Sequence, residues 1–275
     1  MPTTDSPQYC TEHTVKVAND INIYYTDSGA PRSNDYTTLV ILHGSAFNGA
    51  VFIPLHKFAH KMNLRVVLWN RRDYCGTTKY SDEELADLKA GRQVFQDRHA
   101  FQLASFLEHF ITTQDTPRLS SNRKTGGFIL MGWSFGNATT MSLLANPQAV
   151  PKPLYELIEP YLMSIVVFDP PYIALGHPPP TYSGAYYPFV DPDYTGAPEK
   201  FYDYFLRWVS SHYDHLDITS RDASGLDYRK GTERWTIDGW SDEQKALCIE
   251  NVAAIRTELN YLCTIHAGVV EETNA

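Results

Sequence analysis

The segment 132–136, Gly-Trp-Ser-Phe-Gly, places Ser134 between two glycines, directly after an apolar run at 127–131. A serine hydroxyl attacks a carbonyl carbon only when a base removes its proton and hydrogen-bond donors stabilise the resulting oxyanion. The pattern is typical of a sharp turn between a strand and a helix that exposes the hydroxyl, with glycines where side chains would clash. We therefore predict that Ser134 is a nucleophile; the alternative is a structural turn in which it only caps the helix.

Two backbone N–H groups are expected to hold the oxyanion. The first belongs to Phe135, at the start of the helix that follows the nucleophile. The second should come from the loop at 43–46, His-Gly-Ser-Ala, and we assign it to Ser45, with Ala46 as the adjacent alternative. We expect His43 to brace this loop rather than to act as the catalytic base.

The elements that would position these residues alternate between strands and helices. Apolar runs typical of strands buried on both faces of a parallel sheet occur at 39–42, 65–69, 127–131 and 165–168. Helical patterns are found at 51–62, at a capping box formed by Ser81 and Glu84, after Gly91, and at 138–145. Two short strands around a turn at Asn19 and Asp20 precede them. This alternation predicts an α/β protein with a doubly wound, mostly parallel sheet.

The composition changes beyond the last of these strands. Residues 178–180 are three prolines, and the segment 182–213 is dense in Tyr, Phe and Trp. We predict a core at 14–174, a mostly helical, aromatic-rich lid at 175–248, and a C-terminal helix with the last strand of the core at 249–275. One helix face of the lid should carry Phe201, Phe205, Trp208 and Val209. Such faces would line an apolar substrate cavity; the alternative is ordinary packing between helices.

Three motifs together resemble the α/β-hydrolase fold family of the AB hydrolase-1 type. They are the strand followed by His-Gly, the segment 69–76 (Trp-Asn-Arg-Arg-Asp-Tyr-Cys-Gly), which is similar to the family's Asp-x-Arg-Gly-x-Gly stretch, and the Gly-Trp-Ser-Phe-Gly turn. The resemblance covers 14–172. More narrowly, 131–137 and 168–171 resemble fungal hydrolases found beside polyketide synthase genes. That resemblance implies a small acyl, ester or thioester substrate in secondary metabolism.

The resemblance implies a catalytic acid and base later in the chain, in the order Ser, Asp or Glu, His. We assign the acid to Asp169, which ends the strand after the nucleophile; the alternative is a turn-forming Asp before two prolines. For the base we assign His266. The pattern at 261–268 slightly favours the penultimate strand of the fold, with the histidine-bearing last strand missing, yet His266 remains the best C-terminal candidate. The fallback bases in the lid are His177, His215 and His212, which is expected on an apolar helix face.

Composition excludes several other classes of function. The net charge of −9 argues against a nucleic-acid partner. The N-terminus does not resemble a secretory signal, and no apolar run approaches the ~18 residues of a membrane span. Four scattered cysteines lack metal-ligand spacing, so we expect reduced thiols in the cytoplasm. Neither metal-binding spacing nor a Gly-rich phosphate loop is present, so no metal or cofactor is expected, and the oligomeric state is left open.

Three functional hypotheses follow from these residues. The first is a serine hydrolase or acyl-transferring enzyme with a small apolar carbonyl substrate, in which Ser134 attacks, a histidine moves the proton and Asp169 orients that histidine. The second is a ligand-binding protein that keeps the fold but has lost the triad. The third uses the same pocket for C–C bond chemistry without an acyl-enzyme. A positioned base contributes typically 10²–10⁴-fold in rate, so the histidine decides between the first two.

Overall fold

A computed structural model of the 275-residue chain describes residues 9–175, 177, 185–191, 197–229 and 231–258. The chain divides into two units, residues 1–171 and 172–275. The predicted boundaries at 174 and 248 remain predictions. His266 and the predicted strand around it lie outside the described residues.

The first unit contains a six-stranded sheet in the order β1-β2-β4-β3-β5-β6. Its strands are β1 (Thr11–Val17), β2 (Ile21–Asp27), β3 (Thr37–Leu42), β4 (Leu64–Trp69), β5 (Phe128–Trp133) and β6 (Leu162–Phe168). The first two form an antiparallel hairpin, and β2 is antiparallel to β4. From β4 through β3 and β5 to β6 every pairing is parallel. The predicted mostly parallel sheet with flanking helices is confirmed.

The helices of the first unit are α1 (His56–Ala59), α2 (Asp82–Lys89), α3 (Gln93–Thr113), α4 (Gly136–Ala145) and α5 (Lys152–Ile158). The helix predicted at 51–62 is broken into a 3-10 segment at Gly49–Leu55, the single turn α1, and a second 3-10 segment at His60–Met62. Pro54 accounts for the break, because it cannot donate the backbone hydrogen bond that a continuous α-helix needs at that position.

The core of this unit lies between the sheet and α3. Strand side chains such as Val40 and Val67 have no exposed surface, and neither do the α3 residues Leu103, Phe106 and Phe110. The period of these apolar residues in α3 matches the helical repeat, so one face of the helix packs on the sheet. Burial of this helix face holds α3 against the sheet. The loops that carry the predicted site residues extend from that sheet.

The carboxyl ends of the parallel strands meet at one edge of the sheet. His43 follows β3, Asn70 follows β4, Ser134 follows β5 and Asp169 follows β6. In open α/β sheets, ligands bind outside this edge. The fold therefore brings the sequence-predicted residues of the first unit to the same side of the sheet.

The second unit contains α6 (Pro198–Ser210), β7 (Ser211–Tyr213), β8 (Gly231–Trp235), α7 (Asp242–Cys248) and α8 (Asn251–Ala253). The antiparallel pair β7-β8 was not predicted from the sequence. His212 lies in β7 and is exposed, so its placement on an apolar helix face was wrong. Val209 was also misplaced: it is 38% exposed, whereas Phe201 and Tyr202 are fully buried.

Helix α7 begins with a capping box, in which the Ser241 hydroxyl accepts the Gln244 N–H, and ends at Cys248. Two shorter segments follow it, α8 and a π-helical turn at Ala254–Glu258. Across the part of the chain that the structure describes, no helix is both long enough and apolar enough to cross a bilayer.

Candidate active site

The turn between β5 and α4 places Ser134 in a backbone conformation that serine rarely adopts. Its φ angle is +50°, in the left-handed region, and its side chain is partly exposed. The Ser134 N–H donates to the carbonyl oxygen of Phe168 at 2.9 Å, and the Ser134 carbonyl accepts from Asn137 N–H at 3.1 Å. These bonds hold the turn on both sides, which is how a strained residue persists in a folded protein. The predicted strand-turn-helix is present; the role of Ser134 as nucleophile stays a prediction.

The two glycines of this turn are required by close packing. A Cβ atom on Gly136 would lie 2.2 Å from the carbonyl oxygen of Leu42, and one on Gly132 would lie 2.6 Å from the Cα of Asn137. Both distances are far below van der Waals contact. Because the clashing atoms are backbone, no side-chain rotation relieves them, and α4 approaches the end of β3 only when glycine occupies position 136.

The loop after β3 lies directly beside the Ser134 side chain. A Cβ atom on Gly44 would stand 3.0 Å from Ser134 Cβ and 3.5 Å from its Oγ. Ala46 has a φ of +62°, and its N–H donates to the Tyr74 hydroxyl at 3.0 Å. That bond occupies the N–H of Ala46, the alternative oxyanion donor; the assignment of the second donor to Ser45 stays a prediction.

His43 is fully buried and braces the loop through both ring nitrogens. Its Nδ1 lies 2.9 Å from the Gly44 carbonyl oxygen, and its Nε2 lies 2.9 Å from the backbone nitrogen of Arg71. Burial, and then the charge of Arg71, hold the pKa of His43 well below its ordinary value. A neutral imidazole with both nitrogens bonded to backbone supports the predicted bracing role rather than that of a general base.

Sequence reasoning missed the part that Arg71 plays, because it used the segment 69–76 only as a motif of the resemblance. The Arg71 guanidinium is buried and donates from Nη2 to the Gly44 carbonyl oxygen at 3.0 Å. Its central carbon lies 5.0 Å from the ring centroid of Phe135. The sequence signal that could have indicated this role is the position of Arg71 in the segment 69–76, which starts at the end of β4. From there its side chain reaches the loop at 43–46.

Asn137 was also missed. It is fully buried, and its Nδ2 donates to the carbonyl oxygens of Ser134 at 2.8 Å and Phe168 at 3.2 Å. Within the described residues its Oδ1 has no hydrogen-bond partner. One amide group therefore joins the turn at Ser134 to the end of β6.

Asp169 follows Phe168, which pairs with Trp133 in the parallel ladder between β5 and β6. Asp169 therefore stands next to Ser134 in register at the carboxyl edge. It is exposed and has a φ of +45°, a conformation that Asp and Asn tolerate better than most residues. This placement agrees with the position predicted for the catalytic acid, and the role itself remains a prediction.

The predicted base is not among the residues that the structure describes. Of the fallback bases, His177 and His212 are exposed, and His215 accepts the Asp227 N–H at its Nδ1 at 3.1 Å. Within the described residues of the first unit, no histidine ring is hydrogen-bonded to Ser134 Oγ. The described ranges of both units contain no group of three or more His, Cys, Asp or Glu side chains that could hold a metal ion.

Comparison with known proteins gives matches by structure only. No family model matches the sequence, and no curated protein does. An epoxide hydrolase from Vigna radiata is 12% identical, with a TM-score of 0.55 over 97% of this chain and 76% of that one. A putative aryl esterase from Burkholderia cenocepacia is 14% identical, with a TM-score of 0.52 over 94% of this chain and 72% of that one.

An epoxide hydrolase of the α/β-hydrolase superfamily from metagenomes of hot environments is 16% identical, with a TM-score of 0.50 over 94% of this chain and 70% of that one. At such low identity the likeness establishes architecture and not activity. The chain has the α/β-hydrolase fold, as the sequence predicts.

Proposed function

We propose that this chain is a serine hydrolase or acyl-transferring enzyme that acts on a small apolar ester, thioester or related carbonyl compound. The observation that carries the proposal is Ser134 at a φ of +50°, on a turn that only glycines permit, with the Gly44 loop against its side chain. The same arrangement of strand, strained serine and helix exposes a nucleophile in enzymes of this fold. The names of the structural neighbours, two epoxide hydrolases and an aryl esterase, agree with hydrolysis.

In the proposed reaction, Ser134 Oγ attacks the carbonyl carbon while a histidine accepts the hydroxyl proton. The N–H groups of Ser45 and Phe135 stabilise the oxyanion, whose collapse expels the alcohol or thiol with the proton that the histidine returns. Water or another acceptor then attacks the acyl-enzyme and regenerates the serine. Asp169 orients the histidine, for which His266 remains our candidate.

Two narrower proposals rest on sequence. The resemblance of 131–137 and 168–171 to fungal hydrolases supports a substrate from polyketide-type secondary metabolism, although none of the comparisons adds to it. The free thiols of Cys10 and Cys248 support a reducing, cytoplasmic setting. Extracts of a polyketide-producing host, tested as substrates, address the first of these proposals.

Covalent labelling tests the main proposal. We expect a fluorophosphonate probe to label the wild-type protein and not Ser134→Ala. Ser142→Ala is the matched control, since Ser142 lies on α4, the helix that follows Ser134, and its hydroxyl donates to the Thr139 carbonyl oxygen at 2.7 Å. Turnover of p-nitrophenyl esters of increasing chain length then defines the acyl group. Folded wild-type protein that the probe fails to label would refute a serine hydrolase.

A second candidate function is binding without turnover. It is favoured by the lack, within the described residues of the first unit, of a histidine bonded to Ser134 Oγ. On this hypothesis, Ser134→Ala leaves the affinity for the ligand unchanged. A loss of ester turnover in that variant by more than about 10³-fold favours the enzyme instead.

A further inference from the structure

The carbonyl oxygen of Gly44 accepts two hydrogen bonds from charged or polar side chains. His43 Nδ1 lies 2.9 Å away and Arg71 Nη2 lies 3.0 Å away. A carbonyl oxygen has two lone pairs, so both are used. The Gly44–Ser45 peptide is trans, and in a trans peptide the carbonyl and the N–H point in opposite directions. Fixing the Gly44 oxygen therefore also fixes the direction of the Ser45 N–H.

The backbone of Arg71 determines which form of His43 makes this bond. The Arg71 N–H can only donate, so His43 Nε2, at 2.9 Å, is the acceptor. A neutral imidazole then carries its proton on Nδ1, from which it donates to the Gly44 oxygen. Arg71 thus acts on the Gly44–Ser45 peptide in two ways. Its guanidinium donates to the Gly44 oxygen, and its backbone N–H fixes the form of His43 that donates to the same oxygen.

The Arg71 side chain also packs against Phe135, which carries the other predicted oxyanion donor. Its guanidinium carbon lies 5.0 Å from the ring centroid of Phe135 and 5.2 Å from that of Tyr74. Tyr74 in turn accepts the Ala46 N–H at its hydroxyl. One buried cation therefore links the loop after β3 with the first residue beyond Ser134.

We infer that Arg71 is a positioning residue for the oxyanion site, which aims and polarises the Ser45 N–H by holding the Gly44 carbonyl oxygen. The inference rests on the proposed function, since it names the residue that supports the proposed donor. A bond from a charged donor is shorter and stronger than a neutral one, and hydrogen bonds in a chain strengthen one another in a buried site. The neighbouring Arg72 binds elsewhere, at the carbonyl oxygens of Thr78 and Lys79 and the carboxylate of Glu84.

Three variants of the full chain test this inference. Arg71→Met keeps apolar contact with the rings and removes the donors, whereas Arg71→Lys keeps the charge and one donor to the carbonyl. Arg72→Lys is the matched control at an equally buried neighbouring arginine. Hydrogen–deuterium exchange of 43–48 reports the loop without reference to activity. Ester turnover per fluorophosphonate-reactive site reports catalysis, because this normalisation removes any loss of folded protein.

We expect Arg71→Met to speed exchange in 43–48 at least ~10-fold, because loss of the donors frees the loop. We expect it to lower kcat by about 10²-fold, the loss that a displacement of about 1 Å can cause, with KM within about threefold. Arg71→Lys should recover part of both effects, and Arg72→Lys should change neither.

Exchange in Arg71→Met that stays at the wild-type rate would overturn the inference, whatever the activity. Unchanged kcat in Arg71→Met would also overturn it, while leaving the serine hydrolase intact. If the wild-type protein reacts with neither probe nor ester, the proposed function fails. In that case the hydrogen–deuterium exchange rates alone decide whether Arg71 holds the loop at 43–48 in place.

Discussion

The backbone N–H of Ser134 donates to the carbonyl oxygen of Phe168 across 2.9 Å, one residue before Asp169. The same oxygen accepts from the side-chain amide of Asn137 at 3.2 Å. A single carbonyl group therefore joins the proposed nucleophile to the strand that carries the proposed acid. Backbone therefore sets the distance between the turn at Ser134 and the turn at Asp169. The remaining freedom lies in the side-chain rotamers of these two residues.

Replacing Asn137 should weaken this junction. Asn137→Ala removes both donated bonds from a fully buried site, and we expect a loss of about 1–3 kcal/mol in the free energy of unfolding. Asn137→Asp has the same shape but replaces the donors with oxygens that face two carbonyl oxygens, so it should be worse than alanine. Denaturant unfolding of both variants measures the difference. An aspartate variant as stable as the wild type would contradict this account.

Asp169→Asn should separate the chemical role of the carboxylate from that of the turn. Asparagine tolerates a φ of +45° about as well as aspartate, so the backbone should be retained. If Asp169 orients the base, ester turnover should fall by about 10²–10⁴-fold at an unchanged thermal midpoint. Ester turnover at the wild-type rate in this variant would show that another residue is the catalytic acid.

Gly136→Ala should prevent α4 from packing against the end of β3. The added methyl would stand 2.2 Å from the Leu42 carbonyl oxygen and 2.7 Å from that of His43. Overpacking typically costs 1–3 kcal/mol, and a clash with backbone on this scale should reach or exceed the upper end of that range. Gly239→Ala is the control, since a Cβ there has nothing within 4 Å. Equal thermal midpoints for the two variants would contradict this reading of the turn.

His99 should make stability depend on pH below neutrality. It is buried, and its Nε2 lies 2.5 Å from the Tyr80 hydroxyl. Burial, helped by the charges of Arg72 and Arg71, lowers the pKa of His99 from 6.5 to about 3. Between those values the unfolded chain holds the extra proton. Stability is therefore fully present above about pH 6.5 and falls as the pH drops towards 3, by at most about 1.4 kcal/mol per pH unit for this residue.

His99→Gln should flatten that slope between about pH 6.5 and 5.5, above most of the range in which carboxylates titrate. The control is His60→Gln, because His60 is exposed. Denaturant unfolding at several pH values measures both slopes. A slope in His99→Gln equal to that of the wild type would mean that another buried histidine, such as His43, dominates.

The sequence predicted the first unit well, because its elements are long and strongly patterned. The runs at 39–42 and 65–69 extend by only one or two residues into β3 and β4. The apolar spacing after Gly91 predicted the buried face of α3, including Phe95 and Leu103. Strands buried on both faces, such as β3 and β4, leave little choice of secondary structure. The burial predicted for the run at 165–168 was wrong, because Val166, Val167 and Phe168 of β6 are exposed.

The candidate site was predicted less completely, since its supporting bonds cross between distant segments. The position of Arg71 after β4 places it at the carboxyl edge of the sheet, but its neighbours in sequence do not indicate that its guanidinium reaches Gly44, 27 residues earlier. The partners of Asn137 likewise depend on the register between β5 and β6. In the second unit the short pair β7-β8 escaped prediction because three residues cannot display an alternating pattern.

The near contact between Gly44 and Ser134 restricts how this chain could acquire new specificity. A methyl at position 44 would press on the Cβ of the serine at 3.0 Å, so the two positions cannot be diversified independently. In a directed-evolution library, randomising codon 44 would mostly yield inactive clones. Codons 47 and 52 are better targets, because Phe47 and Phe52 flank the Trp133 ring at centroid distances of 5.9 and 5.4 Å.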